Sequence, residues 1–203
     1  NNIKVVVVDG YLEITPVTEK VTVTITGNTG TEVYNGSEQS VTGYTTDVGE
    51  KTITVALKEG KAAEAKGTNA NTYPMGLKED DFTVTSANYS NIKVVVVDGY
   101  LEITPITEEV TVNITGNHDS KVYDGKEHAV AGYTTDVGEK TITVALKESK
   151  TAEAKGTKAG MYYMGLTKDD FTVTSANYNN IKVVVVDGYL EITPVTEKVT
   201  VTI

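Results

Sequence analysis

The side chains able to do metal or proton-transfer chemistry are few in this sequence. His118 and His128 are the only histidines, and the corresponding residues in a related upstream segment are Thr29 and Gln39. A histidine metal site or a catalytic histidine needs partner residues at a defined spacing, as in HExxH, and neither histidine has them. The chain also lacks cysteine, which excludes disulfides and thiolate metal ligands. We therefore interpret both histidines as polar surface residues.

An acidic cluster offers the oxygen ligands that calcium prefers. Asp80 and Asp81 follow Glu79 in the segment GLKEDDF, and the two aspartates recur as Asp169 and Asp170. Calcium sites of the EF-hand type carry a DxDxDG loop, and no such loop accompanies these residues. The pattern therefore favours a cap on a short helical turn, or plain solvated charge, over a calcium site.

Tyrosine is the main aromatic residue, with 12 copies against 2 phenylalanines and no tryptophan. Exposed tyrosines can form a platform for a sugar or a protein ligand, because each combines an apolar ring with a polar hydroxyl. The alternative, which we favour, is that the rings pack at a sandwich edge and leave their hydroxyls in water. The tyrosines of one complete repeat are Tyr34, Tyr44, Tyr73, Tyr89 and Tyr100.

No pattern typical of an enzyme is present. The sequence has no nucleophile elbow, phosphate-binding loop, cofactor motif or carboxylate pair with a histidine. We predict a protein that is not an enzyme, with no cofactor and no catalytic, cofactor-binding or metal-binding residues. The net charge of −10 argues against nucleic-acid binding, which needs clustered Lys and Arg. No apolar stretch approaches the roughly 20 residues that cross a bilayer.

An internal repeat organises the chain. Residues 1–25 and 179–203 are the same string, NNIKVVVVDGYLEITPVTEKVTVTI, and an altered copy begins at Ser90. The period is 89 residues, and 68 of the 89 positions are identical between the two full copies. The differences gather in residues 29–42 and 60–79 of the first copy. Such a pattern indicates a tandem array of one fold with variable surfaces.

The apolar pattern of each copy predicts β-strands. VTVTI places Val21, Val23 and Ile25 on one face, and KTITVAL repeats this period of two. Asp9-Gly10 lies between the apolar runs IKVVVV and YLEITP, which predicts a hairpin. Asn35-Gly36 and Asp124-Gly125 predict a second tight turn in each copy.

Two segments resemble helices by composition. ALKEGKAAEAKG is rich in helix formers but is interrupted by Gly60 and Gly67, and we predict two strands joined by a charged turn. Leu77 to Phe82 predicts one helical turn between strands. The fold class predicted from the residues is therefore all-β.

Proline sets the predicted domain boundaries. Pro16, Pro105 and Pro194 follow the YLEIT strand at equivalent positions, and proline cannot donate to a central ladder. Two positions for the start of each repeat are compatible with the period, and the alternative that we do not favour starts each unit at Asn1 or Ser90. The favoured phase gives a closing hairpin of a preceding repeat in 1–16, complete β repeats in 18–105 and 107–194, and an opening strand of a following repeat in 195–203.

Several motifs resemble the MBG-type and bacterial Ig-like repeats of large Gram-positive-type cell-surface proteins. They are VYNGSEQSVTGY and VYDGKEHAVAGY, AKGTNANTYPMGL and AKGTKAGMYYMGL, and the closing NIKVVVVDGYLEITP. The second copy departs from the first where Gly160-Met161 replaces Asn71-Thr72. The resemblance implies tandem Ig-like β-sandwich modules arranged in line, located outside a bacterium at its surface or cell wall.

The function that this resemblance implies is structural, as a stalk, spacer or fibre. Its partners would be neighbouring repeats or end-to-end copies of the chain. The alternative is an adhesive module that recognises a glycan or host protein through segments 29–42 and 60–79 with their tyrosines.

Covalent modification is a further expectation for such domains. Many carry a Lys–Asn isopeptide bond, for which residues such as Lys4 and Asn88 are available, and we assign no pair. Asn35, Asn88 and Asn113 match glycosylation sequons, which mean little in a bacterial protein.

Overall fold

A computed structural model of the protein describes residues 2–198 and 200–201. The chain divides into two compact units, Asn1–Ile103 and Thr104–Ile203. The all-β prediction is confirmed, since the helical segments among the described residues are the short 3-10 turns Glu79–Asp81 and Lys168–Asp170. These are the helical turns that the sequence predicts before Phe82 and Phe171.

The strands of the two units follow one another in the same order. The earlier set is β1 (Val21–Gly27), β2 (Thr29–Val33), β3 (Gln39–Thr42), β4 (Tyr44–Thr46), β5 (Thr54–Leu57), β6 (Glu64–Gly67), β7 (Asn71–Pro74), β8 (Phe82–Thr85), β9 (Ile92–Val97) and β10 (Tyr100–Thr104). The later set is β11 (Val110–Gly116), β12 (His118–Val122), β13 (His128–Ala131), β14 (Tyr133–Thr135), β15 (Thr143–Leu146), β16 (Glu153–Gly156), β17 (Gly160–Tyr163), β18 (Phe171–Thr174), β19 (Ile181–Val186) and β20 (Tyr189–Thr193).

Each unit is built from small sheets, which in the first unit have the orders β4-β1-β9, β2-β10-β7, β3-β6 and β5-β8. β1 pairs with β9 in parallel, from Val21 opposite Ile92 to Thr26 opposite Val97. In the second unit β11 pairs with β19 and β12 with β20, both in parallel. The first strand of each unit is therefore the parallel neighbour of its second-last strand.

Two apolar clusters form the core of the first unit. The larger one contains Val23 and Ile25 of β1, both fully buried, with Phe82 of β8. The smaller one contains Ala65 of β6 with Leu101 and Ile103 of β10. The alternation predicted for VTVTI is confirmed, because Val23 and Ile25 face the core and the intervening threonine does not.

The Asp-Gly hairpin prediction is wrong. At the equivalent Asp98-Gly99, β9 and β10 do not pair with each other, since β9 pairs with β1 and β10 joins the sheet of β2 and β7. A two-residue hairpin of the predicted type needs positive φ at both central residues, and among the described residues neither Asp98 nor Gly99 has it. The dipeptide is a corner at which the chain passes from one sheet to the next.

The ends of the chain carry no strand in the described residues. Residues 2–16 are outside regular structure, and Asp9-Gly10 forms no hairpin there. Of the predicted opening strand 195–203, residues 199, 202 and 203 lie outside the described residues, and the others are not in a strand. The phase of the repeat stays a prediction.

Two other local predictions are confirmed. Asn35-Gly36 is a tight turn in which Gly36 has φ +80 and the Asn35 carboxamide oxygen accepts the Ser37 N–H at 2.9 Å. ALKEGKAAEAKG forms β5 and β6 rather than a helix. These two strands pair with β8 and β3, not with each other.

Candidate binding surface

The two histidines lie on consecutive strands of the second unit, in the segment equivalent to residues 29–42 of the first copy. The ring of His118, on β12, is stacked on that of Tyr189, with centroids 5.4 Å apart and ring planes 20° apart. His128, on β13, has its Nε2 2.9 Å from Asp124 Oδ1. Within the described residues no three His, Asp or Glu side chains are grouped to hold a metal ion.

The acidic cluster caps its helical turn, as the favoured interpretation predicted. Asp81 accepts the Lys78 N–H at 2.8 Å and forms an ion pair with Lys61 Nζ at 2.6 Å. The hydrogen bond from Lys61, followed by that from the Lys78 backbone, lowers the pKa of Asp81. Both carboxylate oxygens of Asp81 are thus engaged by protein donors.

Asp170 repeats this arrangement in the second unit with one more donor. Its carboxylate pairs with Lys150 Nζ at 2.7 Å and accepts the N–H and the hydroxyl of Thr167, each at 2.8 Å. The Lys150 hydrogen bond, then those of Thr167, lower the pKa of Asp170 from 3.8 to about 2. The side chain therefore remains a carboxylate in moderately acidic solution.

Most tyrosines of the first unit are packed, as the favoured interpretation predicted. Tyr44 meets the edge of Phe82 with centroids 5.0 Å apart, and Tyr34 and Tyr89 pack against the two clusters of the core. Tyr73 donates its hydroxyl to the Asn69 carbonyl at 2.9 Å. Tyr100 differs, because 41% of it is exposed on β10.

The asparagines considered for modification make specific hydrogen bonds. Asn88 donates its carboxamide to Thr52 Oγ1 at 2.6 Å, and Asn113 donates to Asp136 Oδ2 at 2.6 Å. Lys4 belongs to the exposed segment outside regular structure. The isopeptide expectation gains no support from these contacts.

The variable segments meet in one half of the first unit. β2 and β7 carry many of the differences between the copies, and they flank β10 in one three-stranded sheet. β3, which also varies, pairs with β6. The adhesive hypothesis predicted that segments 29–42 and 60–79 lie together on one exposed face. Their strands instead belong to two sheets, β2-β10-β7 and β3-β6, which share a core cluster, so a single exposed face stays a prediction.

An aromatic row crosses the corresponding sheet of the second unit. His118 on β12 lies opposite Tyr189 on β20, and Tyr189 lies opposite Tyr163 on β17. The Tyr163 and Tyr189 centroids are 6.2 Å apart, and 65% of Tyr163 is exposed. We call His118, Tyr189 and Tyr163 the aromatic row.

A polar row lies beside the aromatic row. Ser120 is opposite Glu191, and Glu191 is opposite Met161. The Ser120 hydroxyl donates to Glu191 Oε2 at 3.3 Å, and Met161 is 44% exposed. This face of the sheet therefore combines ring surfaces with a carboxylate and a hydroxyl.

Sequence reasoning singled out His118 alone among the aromatic-row residues, and as an ordinary surface residue. The sequence signal that could have pointed to this row is the gain of two aromatic rings in the second copy, where Tyr163 replaces Pro74 and His118 replaces Thr29. The register that places them beside Tyr189 joins segments far apart in the chain, and periodicity cannot supply it.

A shallow groove is a second feature of the second unit. It is lined by Tyr123, Lys158, Ala159, Pro194 and Val195. Tyr123 and Val195 are 42% and 48% exposed. Since the groove is open and mostly apolar, it offers little to orient a small ligand.

Comparison with known proteins gives a limited result. No protein-family model and no curated protein matches the chain. Crystal structures of the N-terminal four Ig domains of Dscam1 are similar to it: isoform 9.44, with zinc, at 11% identity and TM-score 0.21, and isoform 6.9 at 13% and 0.23. The matches cover 85% and 83% of this chain and 46% and 44% of those chains. At such scores they carry no functional argument.

The class of protein defined by the fold is an all-β protein whose two units each contain their own core. In the part of the chain that the structure describes, no helix has the length and apolar character needed to span a membrane.

Proposed function

We propose that this chain is a structural repeat segment of an extracellular bacterial surface protein, acting as a stalk, spacer or fibre. The observation that supports this most is the parallel pairing of the first strand of each unit with its second-last strand, continued in the second unit by the parallel pairing of the second strand, β12, with the last, β20. Because these strands run side by side in the same direction, the chain enters a unit at one end and leaves it at the other. Each unit therefore extends the path of the chain instead of folding it back.

The strand lengths set the size of this extension. β1 and β2 together run from Val21 to Val33, and at about 3.3 Å per residue they advance by about 40 Å. Two units in line would then reach on the order of 80 Å. A spacer benefits from such geometry because each added repeat contributes length.

Parallel terminal strands also suit a protein under tension. A force that separates the two ends of a unit pulls β1 and β9 along each other, so the bonds between them resist together. If the terminal strands were antiparallel, their ends would meet at one edge and the bonds would break one at a time. We propose that the partners are neighbouring repeats or end-to-end copies, at a bacterial surface or cell wall, and that the segment has no catalytic role.

Small-angle scattering of the full chain tests this proposal. A compact protein of this length has a radius of gyration of about 17 Å, whereas a rod of about 80 Å gives about 23 Å or more. The larger value and an extended distance distribution are expected. A value near that of a compact globule would overturn the spacer function.

A second function, adhesion, is favoured by one observation. The variable strands β2 and β7 flank the same central strand, so the differences that these two strands carry lie in one sheet. Adhesion and extension are compatible in one protein. Screens of the full chain against glycans and against host proteins test adhesion, and the absence of binding in both screens would remove it.

A further inference from the structure

We propose that Asn35 is a site of spontaneous deamidation, at which the side-chain amide is lost as ammonia and an aspartate or isoaspartate takes its place. The site lies in the turn between β2 and β3, inside the variable segment 29–42. The proposal is independent of the spacer and adhesive functions. It gives this turn of the first unit a negative charge that its sequence does not encode.

The reaction needs only water as a second reactant. The Gly36 backbone nitrogen loses its proton to the solvent and attacks the Asn35 Cγ, so that a new C–N bond forms and the bond from Cγ to Nδ2 breaks. The released nitrogen takes up a proton and leaves as ammonia, and the product is a five-membered succinimide. Water then opens this ring at Cγ to give aspartate, or at the main-chain carbonyl carbon to give isoaspartate. One water is consumed, one ammonia is released, and no atom is oxidised or reduced.

The attacking nitrogen is unhindered because the following residue is glycine. Asn35-Gly36 is the only Asn-Gly pair in the chain. A Cβ added at Gly36 would have only the Tyr34 hydroxyl oxygen near it, at 4.0 Å. Among the described residues no acceptor binds the Gly36 N–H. Solvent can therefore reach this N–H and remove its proton.

The conformation of the turn brings the two reacting atoms together. Asn35 Oδ1 accepts the Ser37 N–H at 2.9 Å, which is an Asx turn, in which the side chain folds back over its own backbone. The Asn35 Cγ and the Gly36 nitrogen are thus members of one small hydrogen-bonded ring. The hydrogen bond to Oδ1 also withdraws electrons from Cγ and makes it more electrophilic.

The carboxamide nitrogen of Asn35 is free to leave. In the part of the chain that the structure describes, this carboxamide accepts a hydrogen bond through its oxygen and donates none, and both Asn35 and Gly36 are exposed. Most other asparagines differ, because a protein acceptor holds their Nδ2 and the next residue is not glycine. They are Asn28, Asn88, Asn91, Asn113, Asn117, Asn177 and Asn180.

The second unit shows that the product fits the turn. The equivalent pair is Asp124-Gly125, and Asp124 Oδ1 accepts the Lys126 N–H at 2.9 Å. Gly125 has φ +78, against +80 for Gly36. A carboxylate therefore makes the same hydrogen bond in the same backbone conformation, and aspartate at position 35 should leave the fold intact.

The experiment follows the folded full chain over time in mildly alkaline buffer, by isoelectric focusing and by mass spectrometry of the tryptic peptide Val21–Lys51. Conversion at Asn35 should add one negative charge per chain, at a rate within about a hundredfold of that in the urea-unfolded chain, because an exposed turn reacts without global unfolding. Asn28 is the control in the same peptide, since its Nδ2 donates to the Thr42 carbonyl at 2.8 Å. The Asn35→Asp variant should not gain this charge, and a thermal melt verifies its folding.

Three results would overturn the proposal. A slowing of more than about a hundredfold in the folded chain would show that the turn protects Asn35 until the unit unfolds. Conversion of Asn28 before Asn35 would show that neither the following glycine nor the free carboxamide nitrogen selects the site. A gain of charge by Asn35→Asp at the rate of the original chain would place the reaction at another residue.

Discussion

The backbones of Gly27 and Gly99 are in direct contact at the corner between the two parts of the first unit. A methyl group on Gly27 would lie 2.7 Å from the Gly99 Cα. One on Gly99 would overlap the Asn28 carbonyl oxygen and lie 2.7 Å from both the Gly27 carbonyl carbon and Met75 Sδ. Gly116 and Gly188 repeat the contact in the second unit. Glycine is required here for close approach and not for positive φ.

Substitution Gly99→Ala should destabilise the first unit strongly. The added methyl meets backbone atoms that cannot move without opening the corner, so we expect a loss of about 3 kcal/mol, at the upper end for overpacking. Gly10→Ala is the control, because Gly10 has the same sequence neighbours and no atom within 4 Å. Chemical denaturation measures the free energy of unfolding of both variants. Equal effects of Gly99→Ala and Gly10→Ala would show that Gly99 does not make the close backbone contact described here.

Asp98 should stabilise the same corner through its carboxylate. Its two oxygens accept the N–H groups of Gly76 and Leu77, each at 2.9 Å. Asp98→Ala removes both acceptors, and we expect a loss of about 1–2 kcal/mol in the free energy of unfolding. Asp9→Ala, in the identical local sequence, should change it by less than about 0.5 kcal/mol. An Asp98→Ala variant with an unchanged free energy of unfolding would show that water replaces the carboxylate without cost.

Acid should destabilise the second unit in a defined pH window. The pKa of Asp170 falls from 3.8 to about 2 on folding because of Lys150 and Thr167. The folded state therefore binds fewer protons than the unfolded state between these values. The stabilisation from Asp170 is complete above the ordinary pKa and is lost as pH falls through the window.

Thermal melts across this pH range test the effect of Asp170. Asp170→Asn should lower the stability of the fold at neutral pH. It should also make the loss of stability between about pH 4 and about pH 2 smaller than in the original chain. Asp169→Asn serves as a charge-matched control beside it. An unchanged pH dependence in Asp170→Asn would show that the Lys150 pair does not stabilise the fold.

Leucines in identical sequence positions should differ in their importance. Leu101 is 1% exposed and Leu12 is 86% exposed, although both occur in DGYLEITP. Leu101→Ala should lower the free energy of unfolding by about 2–5 kcal/mol, and Leu12→Ala should leave it unchanged. A large effect of Leu12→Ala would show that residues 2–16 pack in solution.

Local patterns predicted the strands of this protein well. Alternation in VTVTI identified the core face, because Val23 and Ile25 are fully buried, and glycine interruptions identified β5 and β6. These features depend on residues close together in sequence, so a single segment contains enough information to predict them.

Long-range contacts decided what local patterns predicted wrongly or missed. Asp98-Gly99 resembles a hairpin turn, yet its conformation is set by N–H groups more than twenty residues upstream and by the backbone of Gly27. The aromatic row likewise depends on the register between His118 and Tyr189. The alternation of apolar residues within one strand does not determine its register with a strand from a distant segment.

Single-molecule stretching of the full chain from its ends tests the central claim, that parallel terminal strands make each unit a force-bearing spacer. The expected trace has two abrupt unfolding events, each releasing about 250 Å of chain as residues 21–104 or their equivalents extend.

The control for this measurement changes only the direction of force. Leu57 and Phe82 are paired at one end of the antiparallel strands β5 and β8. Handles on Lys58→Cys and Asp80→Cys, the only thiols in a cysteine-free chain, should peel these strands apart at clearly lower force. The account predicts high-force events from the ends and low-force opening from the internal handles; equal forces, or end-to-end extension without abrupt events, would contradict it.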